Sequence, residues 1–266
     1  MPSLNDFGAM NALLAVINNG DEGSSDVVIA KYLLTHFNRL ESLSIYDIAT
    51  ECFTTRQSIR RFCRDLGLGN FQSFKRYLEH EYDHTSGYYF ADAEGESGED
   101  YPAHLMFALT AMAADINKAA GLFADAFAGQ MHAAYECVFL VSDIYTAACA
   151  EFQKQMILSD KMVRIVSKAY HESSLIANLS DEDVLVTISI SGRWASEVGD
   201  SADLERTRAH TVLLTTSHDG HLSASYDDVY LLSLSEQPSA KTVYHQFGIM
   251  YVLDLLQQRY REKYCR

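Results

Sequence analysis

The sequence predicts two domains: an all-α N-terminal domain, and an α/β C-terminal domain whose five-stranded parallel sheet is flanked by helices. Three observations predict this fold class. Apolar residues recur at helical spacing in short segments between residues 26 and 82. An acidic segment poor in apolar residues follows. From residue 137 onward, short apolar runs alternate with longer amphipathic stretches, which is typical of strands and helices in a parallel sheet.

The N-terminal domain, 1–82, is predicted to contain four short helices. The second starts after Ser44, because Asp47 stands at the capping-box position. The third starts after Thr54 or Thr55, either of which can cap it, and it ends before Gly67. The first and fourth helices are indicated by the apolar residues Val28, Ile29, Tyr32, Leu33 and Phe37 and by Phe71, Phe74, Tyr77 and Leu78.

The segment 83–102 is predicted to be a linker. Residues 83–101 hold six acidic residues, three glycines and no Lys or Arg. Such a composition cannot bury a core. The C-terminal domain is therefore placed at 103–266, beginning with a helical stretch over 103–134.

The C-terminal domain carries five strand-like runs with helical stretches near 145–158, 194–208 and 241–260. Strands separated by helices imply a parallel sheet covered on both faces. In such sheets a ligand binds beyond the carboxyl ends of the strands, where the strand order reverses. The predicted strands are Cys137–Val141, Met162–Val166, Val184–Ser189, Thr211–Thr215 and Val229–Leu232.

The net charge of −15 is distributed unevenly along the chain. Residues 52–78 contain six basic side chains and a single acidic one, Asp65, which gives this segment a net charge of +5. A basic segment on an acidic protein is what a local polyanion-binding site produces, although a solvated helix face is the ordinary alternative.

The third helix is predicted to present this charge on one side. Ile59, Phe62, Cys63 and Leu66 fall within one arc, and the basic residues fill the opposite arc. A short helix with an apolar back and an arginine-rich front, preceded by another helix and a tight turn, has the geometry of a recognition helix in the DNA major groove. Arginine can form paired hydrogen bonds to phosphate oxygens or to guanine, and glutamine can form them to adenine. The pattern does not decide which arginine reads bases, and an exposed basic helix in a generic bundle is the alternative.

The stretch from Leu43 to Lys75 resembles the N-terminal domain of RpiR-type transcriptional regulators. The run RFCRDLG, followed by a Phe-x-x-Phe-Lys element, carries the resemblance. It implies that Thr55, Ser58 and Arg61 face DNA. Phe53 departs from the family, which has a small residue in the turn. The complete predicted DNA-binding set is Thr55, Arg56, Gln57, Ser58, Arg60, Arg61, Arg64 and Lys75.

The C-terminal half resembles a sugar isomerase (SIS) domain, so the two resemblances cover most of residues 26–260. The local match is Ser189-Ile190-Ser191-Gly192-Arg193 at the end of the third strand. Hydroxyl and backbone N–H groups at a strand-to-helix junction suit a phosphate, and a polar strand-end turn is the alternative. The resemblance implies a phosphosugar effector bound by Ser189, Ser191, Gly192, Thr216 and Ser217.

Two departures alter this ligand prediction. The family's glycine-rich loop after the first strand is replaced by Val141–Tyr145, in which Asp143 would repel a phosphate. Trp194 stands where the family has Thr. We therefore expect either a shifted phosphosugar site using Ser189, Ser191 and Thr216, or a domain kept mainly for dimerisation.

The alternatives to a regulator are an enzyme and a protein-interaction module. A phosphosugar isomerase would need a base, and His171-Glu172 or Glu236 with His245 are the available groups. We expect no catalytic residue, because turnover needs tighter positioning than the altered loop allows. A protein-interaction module has no motif behind it.

The remaining expectations concern compartment and assembly. The five cysteines form no C-x-x-C pair, so we expect reduced thiols, no metal and no cofactor. No signal peptide or membrane-spanning stretch is evident, which predicts a cytoplasmic protein without a membrane partner. We expect a homodimer or homotetramer that presents paired reading helices to a double-stranded DNA operator.

Overall fold

The structure, a computed structural model, divides by its contacts into two compact units, Met1–Tyr89 and Phe90–Arg266. The predicted linker, 83–102, lies largely outside the described residues and stays a prediction. Its last residues, Tyr101 and Pro102, are the first residues of a helix. The structure describes residues 9–66, 69–76, 78, 100–167, 173–235 and 241–265.

The first unit is helical throughout its described part, as predicted. One helix, α1, was not predicted, because its polar residues carry no start signal. Ser24 caps α2 by accepting a hydrogen bond from the Val27 N–H, and the predicted capping box of Ser44 and Asp47 is present at α3. The helices are α1 (Ala9–Asn19), α2 (Ser25–Thr35), a 3-10 helix (Phe37–Ser42), α3 (Ile45–Glu51), α4 (Arg56–Asp65) and α5 (71–76).

One hydrophobic core joins all of these helices. Its buried members include Leu13 of α1, Leu33 of α2, Ile48 of α3 and Phe62 of α4. Phe74 of α5 meets Phe62 edge to face, with ring centroids 6.4 Å apart. This core fixes which face of α4 points outward.

The second unit is the predicted α/β domain. It begins with a long helix, α6 (Tyr101–Ala133). All five predicted strands are present, with bounds that differ by one residue in four of them. The elements that follow are β1 (Cys137–Val141), a 3-10 helix (Asp143–Tyr145), α7 (Thr146–Ile157), β2 (Val163–Ser167), α8 (Ser173–Ala177), β3 (Val184–Ile188), α9 (Arg193–Gly199), α10 (Ala202–Arg206), β4 (His210–Thr215), α11 (Leu222–Ser225), β5 (Asp228–Leu231), α12 (Lys241–Val243), a π-helix (Tyr244–Gly248) and α13 (Ile249–Tyr264).

The sheet is parallel throughout and has the strand order β2-β1-β3-β4-β5. Side chains of β1 alternate between two cores: Phe139 packs with α6, α7 and α13, and Leu140 packs with α9, α10 and α11. The sheet is therefore covered on both faces, as expected. The strand order reverses between β1 and β3, so the carboxyl ends of these two strands flank the crevice where such folds bind ligands.

The predicted helix over 241–260 differs from the observed one. A single turn of π-helix, Tyr244–Gly248, interrupts it before α13 begins. Within the described residues, no helix combines the length and the apolar content needed to cross a bilayer.

Candidate functional site

The two faces of α4 are divided as the sequence predicts. Ile59, Phe62 and Cys63 are buried in the helical core. The opposite face is exposed to solvent and carries Arg56, Gln57, Arg60, Arg61 and Arg64. Four guanidinium groups thus project from one side of a ten-residue helix.

Thr55 caps this helix, and Thr54 does not. The Thr55 hydroxyl oxygen accepts a hydrogen bond from the Ser58 N–H at 3.1 Å and lies 2.9 Å from the Ser58 hydroxyl oxygen. The two hydroxyls therefore fix the start of α4. Thr54 lies one residue earlier, with its hydroxyl oxygen 3.4 Å from that of Ser25.

The turn between α3 and α4 has Schellman geometry. The Phe53 N–H donates to the Thr50 carbonyl at 3.2 Å, and the Thr54 N–H donates to the Ala49 carbonyl at 2.9 Å. Phe53 adopts the left-handed conformation, with φ of 49°. The structure thus keeps the tight turn at the position where the sequence departs from the family.

Not all of the basic side chains are equally free to meet a ligand. Arg56 donates from Nη1 to the Tyr46 hydroxyl at 2.8 Å. Arg61 pairs with Asp65 at 3.8 Å, an exposed ion pair that contributes little to stability. Lys75 donates to the Leu43 carbonyl at 3.4 Å, so this predicted DNA contact also ties α5 to the segment before α3.

The predicted ligand residues of the second unit follow β3 and β4 at the carboxyl edge of the sheet. Two of them are buried and hydrogen-bonded internally. The Ser189 hydroxyl oxygen accepts from the Ala195 N–H at 3.2 Å, and the Thr216 hydroxyl donates to the Ile190 carbonyl at 2.8 Å. Ser191 is exposed and Ser217 is half-buried, so these two hydroxyls are the more accessible ones.

Gly192 brings the two loops together. It has φ of 75°, and a β-carbon on it would lie 2.6 Å from the Ser217 β-carbon. Glycine is required here by both the left-handed backbone and the close approach. The polar segment after β3 is thereby held against the segment after β4.

The segment after β1 contains a bulky side chain. Tyr145 is buried, and its hydroxyl lies 2.6 Å from Nδ1 of His245 on the π-helix. Tyr145 belongs to the segment that stands where the resembled family has a glycine-rich loop. The side chain of Asp143 lies outside the described part of the chain, as do His171, Glu172 and Glu236, the other groups considered for an isomerase.

A second polar cluster lies after β5. The Asp115 carboxylate accepts hydrogen bonds from the hydroxyls of Ser233 at 2.5 Å and Tyr244 at 2.6 Å. Burial raises the pKa of Asp115, but these two hydrogen bonds and one from the Leu234 N–H lower it by more. The pKa is therefore below its usual value. No short motif could have revealed this cluster, because Asp115 and Ser233 are 118 residues apart.

An open cavity of about 740 Å³ lies at the opposite, amino-terminal edge of the sheet. Asp181, Glu182 and Asp183 line it together with His210. Three carboxyl groups make it unsuited to a phosphate. In the described part of the chain, no three His, Cys, Asp or Glu side chains are grouped to hold a metal ion.

Two successive helices joined by a four-residue connection, with the second exposing arginines over a shared core, define a helix-turn-helix DNA-binding domain. Residues 11–85 match the family model described as the helix-turn-helix domain of the rpiR family. The N-terminal domain is therefore an rpiR-family helix-turn-helix domain, and the resemblance seen in the sequence is confirmed.

The relatives cover different parts of the chain. An uncharacterised HTH-type transcriptional regulator of Caldanaerobacter subterraneus subsp. tengcongensis is 40% identical over 68 residues, which are 25% of this chain and 24% of that protein. The chain thus matches about a quarter of that relative's length.

Among solved structures, the Vibrio vulnificus NanR protein complexed with ManNAc-6P is similar over 96% of this chain and 92% of its own, with 16% identity and a TM-score of 0.47. The sugar isomerase domain of an RpiR transcription factor from Sphaerobacter thermophilus is similar over 62% of this chain and 92% of its own, with 14% identity and a TM-score of 0.46.

Proposed function

We propose that the chain is a cytoplasmic transcriptional regulator of sugar or carbohydrate metabolism genes, whose affinity for a double-stranded DNA operator is changed by a phosphosugar. The exposed arginine face of α4 carries the DNA-binding part of this proposal. Its four arginines stand on a helix fixed by a buried core and by the Thr55 cap. The remaining predicted contacts are Gln57 and Ser58 on the same helix and Lys75 on α5.

A mobility-shift titration tests the DNA-binding part. The probe is the DNA fragment upstream of the protein's own gene, at low salt. We expect the parent chain to retain it and R60A/R61A to lose most of the affinity, with a shallower dependence on salt because fewer counterions are released.

The matched control removes two exposed arginines from the other unit. R206A/R208A changes the net charge equally but lies in the α/β unit, at the end of α10 and just beyond it. We expect it to bind as the parent does. If both double variants weaken binding equally, the effect is one of overall charge and the assignment of α4 is wrong.

For the effector, we propose a site at the carboxyl edge of the sheet, formed by the segments after β3 and β4. Ser191 and Ser217 offer accessible hydroxyls there, buried Gly192 allows their two segments to approach, and Ser189 and Thr216 shape the loops. Two further hydroxyls at this edge support the proposal. Ser167 ends β2 and Thr146 begins α7, and among the described residues the buried hydroxyl oxygen of each has no hydrogen-bond partner.

Trp194, the chain's single tryptophan, provides the test. It lies two residues beyond Gly192 and is half-buried. We expect one member of a panel of sugar phosphates to change its fluorescence, to raise the melting temperature and to alter fragment retention. S191D should abolish all three responses by repelling the phosphate, whereas N178D, which adds a charge at an exposed position before β3, should not. A panel without any response favours the alternative, a domain kept for dimerisation.

We assign this domain a binding role and no enzymatic activity. Tyr145, in the segment that stands where the family has a glycine-rich loop, is buried and hydrogen-bonded to His245, and turnover needs tighter positioning of the substrate than binding does. An aldose–ketose assay with the same panel separates the classes, since turnover would identify an isomerase.

We propose that the protein assembles as a homodimer or homotetramer. Helix-turn-helix dimers bind half-sites about 34 Å apart, so a homodimer or homotetramer would suit a palindromic operator. Light scattering should give two or four times the chain mass of 29.8 kDa. A monomer that still retains DNA would contradict this part alone.

A further inference from the structure

Phe53 stands at the turn of the helix-turn-helix domain in a conformation that glycine adopts more easily. Its φ is 49°, and its N–H makes one of the two hydrogen bonds that end α3. A β-carbon in this left-handed region crowds the following carbonyl oxygen. The turn itself therefore gains nothing from phenylalanine.

Packing of the Phe53 ring does not offset this backbone strain. Its side chain is 98% exposed, so almost none of its apolar surface is removed from water. The hydrophobic contact that accompanies a Schellman turn is made by the next residue, which here is Thr54. Strain retained at an exposed position without a structural gain points to a functional role.

The surroundings of Phe53 indicate a partner. Only Thr54 and the cap Thr55 separate it from Arg56, at the end of α4 that meets base edges in helix-turn-helix complexes. Tyr46, 62% exposed, lies beneath the Arg56 guanidinium. An aromatic ring in a segment of net charge +5 matches a duplex, whose thymine methyls and sugars offer apolar surface beside the phosphates.

We propose that Phe53 is a DNA-contacting residue, which places its ring against the apolar surface of the duplex at the start of the recognition helix. This inference rests on the proposed DNA binding of α4. It adds an apolar contact to a surface that the arginines alone would make electrostatic. It also assigns the departure from the family at this position to DNA recognition.

Two variants of the full chain separate the ring from the backbone strain. F53G removes both, and F53A removes the ring but keeps a β-carbon in the left-handed turn. We expect F53G to raise the melting temperature by about 4 °C, whereas F53A should not raise it. Both should weaken retention of the upstream fragment by about tenfold.

The salt dependence identifies the kind of contact. An uncharged ring releases no counterions, so the slope of log affinity against log salt should equal the parent's for F53G and F53A, while R60A should reduce it by about one. Equal affinity of the parent and F53G at every salt concentration overturns the inference. This is the result expected if Phe53 contacts a protein partner and not DNA. Loss of binding by F53G alone also overturns it, because the turn's flexibility would then be the cause. A parent chain that retains no fragment refutes the DNA-binding proposal itself.

Discussion

The guanidinium carbon of Arg56 lies 4.6 Å from the centroid of the Tyr46 ring, and the same group donates a hydrogen bond to the Tyr46 hydroxyl. Tyr46 is in the first turn of α3 and Arg56 is the first residue of α4. The contact therefore bridges the two helices. A cation held over a ring and by a hydrogen bond has fewer rotamers to lose when it meets a phosphate.

Tyr46 should thus act as a positioning residue for Arg56. We expect Y46A to weaken binding of the upstream fragment about threefold to tenfold, and Y46F, which keeps the ring, to weaken it less. Fluorescence anisotropy measures both. In a chain that already carries R56A, Y46A should have no further effect. An undiminished effect there would show that Tyr46 acts without Arg56.

The close approach of Gly192 and Ser217 makes a prediction about stability. In G192A the added β-carbon would meet the Ser217 β-carbon at 2.6 Å and its hydroxyl oxygen at 2.8 Å, in a left-handed backbone. We expect the free energy of unfolding to fall by about 2–4 kcal/mol. Urea unfolding followed by Trp194 fluorescence measures the change.

Gly121 provides the matched control. It lies within α6, and a β-carbon there meets no atom within 4 Å. G121A should therefore increase the free energy of unfolding by about 0.5–1 kcal/mol. Similar losses from both glycine variants would mean that crowding against Ser217 is not the cause.

The sequence predicts those features of the structure whose residue patterns repeat over a few positions. The strands follow from runs of β-branched residues, and the two faces of α4 follow from helical spacing, because both patterns lie within ten residues. The left-handed turn at Phe53 could not be predicted from its residue type, since no glycine marks it. The surrounding motif and the capping residues located the turn instead.

Side-chain partners distant in sequence escaped prediction for a different reason. Tyr145 and His245 are 100 residues apart and meet only because β1 and the π-helix are brought together by the fold. The motif after the third strand and the Ser/Thr cluster after the fourth place Ser189 and Thr216 at the carboxyl edge of the sheet. They could not show that these two hydroxyls bind the protein's own backbone.

Asp115 should make the α/β domain sensitive to acid. Its pKa in the folded chain is below the unfolded value of about 3.9, so its contribution to stability is present above about pH 4 and is lost as the pH falls through the folded pKa. D115N should lower the free energy of unfolding at pH 7 by about 1–2 kcal/mol and flatten its decline below about pH 4. Urea titrations across this range follow both effects. A D115N variant whose stability declines with acid as steeply as the parent's would remove Asp115 from the explanation.

The five cysteines should react in two classes, a fast half-buried thiol and four slow buried thiols, and two of the slow thiols lie in each unit. Cys52 and Cys63 are buried in the helical unit, Cys137 and Cys149 are buried in the α/β unit, and Cys265 is half-buried. Burial raises the pKa of Cys63 and Cys149 to about 12, and that of Cys137 to about 11. Because the thiolate is the reactive form, a disulfide reagent at pH 8 should label Cys265 first and the other four only as their units open.

Adding the upstream fragment should then slow labelling of Cys52 and Cys63 without protecting Cys137 and Cys149. A ligand that binds only the folded helical unit reduces its open population by mass action. Mass spectrometry of labelled peptides measures each site, and C265S removes the fast reaction as a control. Equal protection of all four buried thiols would indicate that DNA stabilises the chain as a whole, and no protection at all would argue against binding through the helical unit.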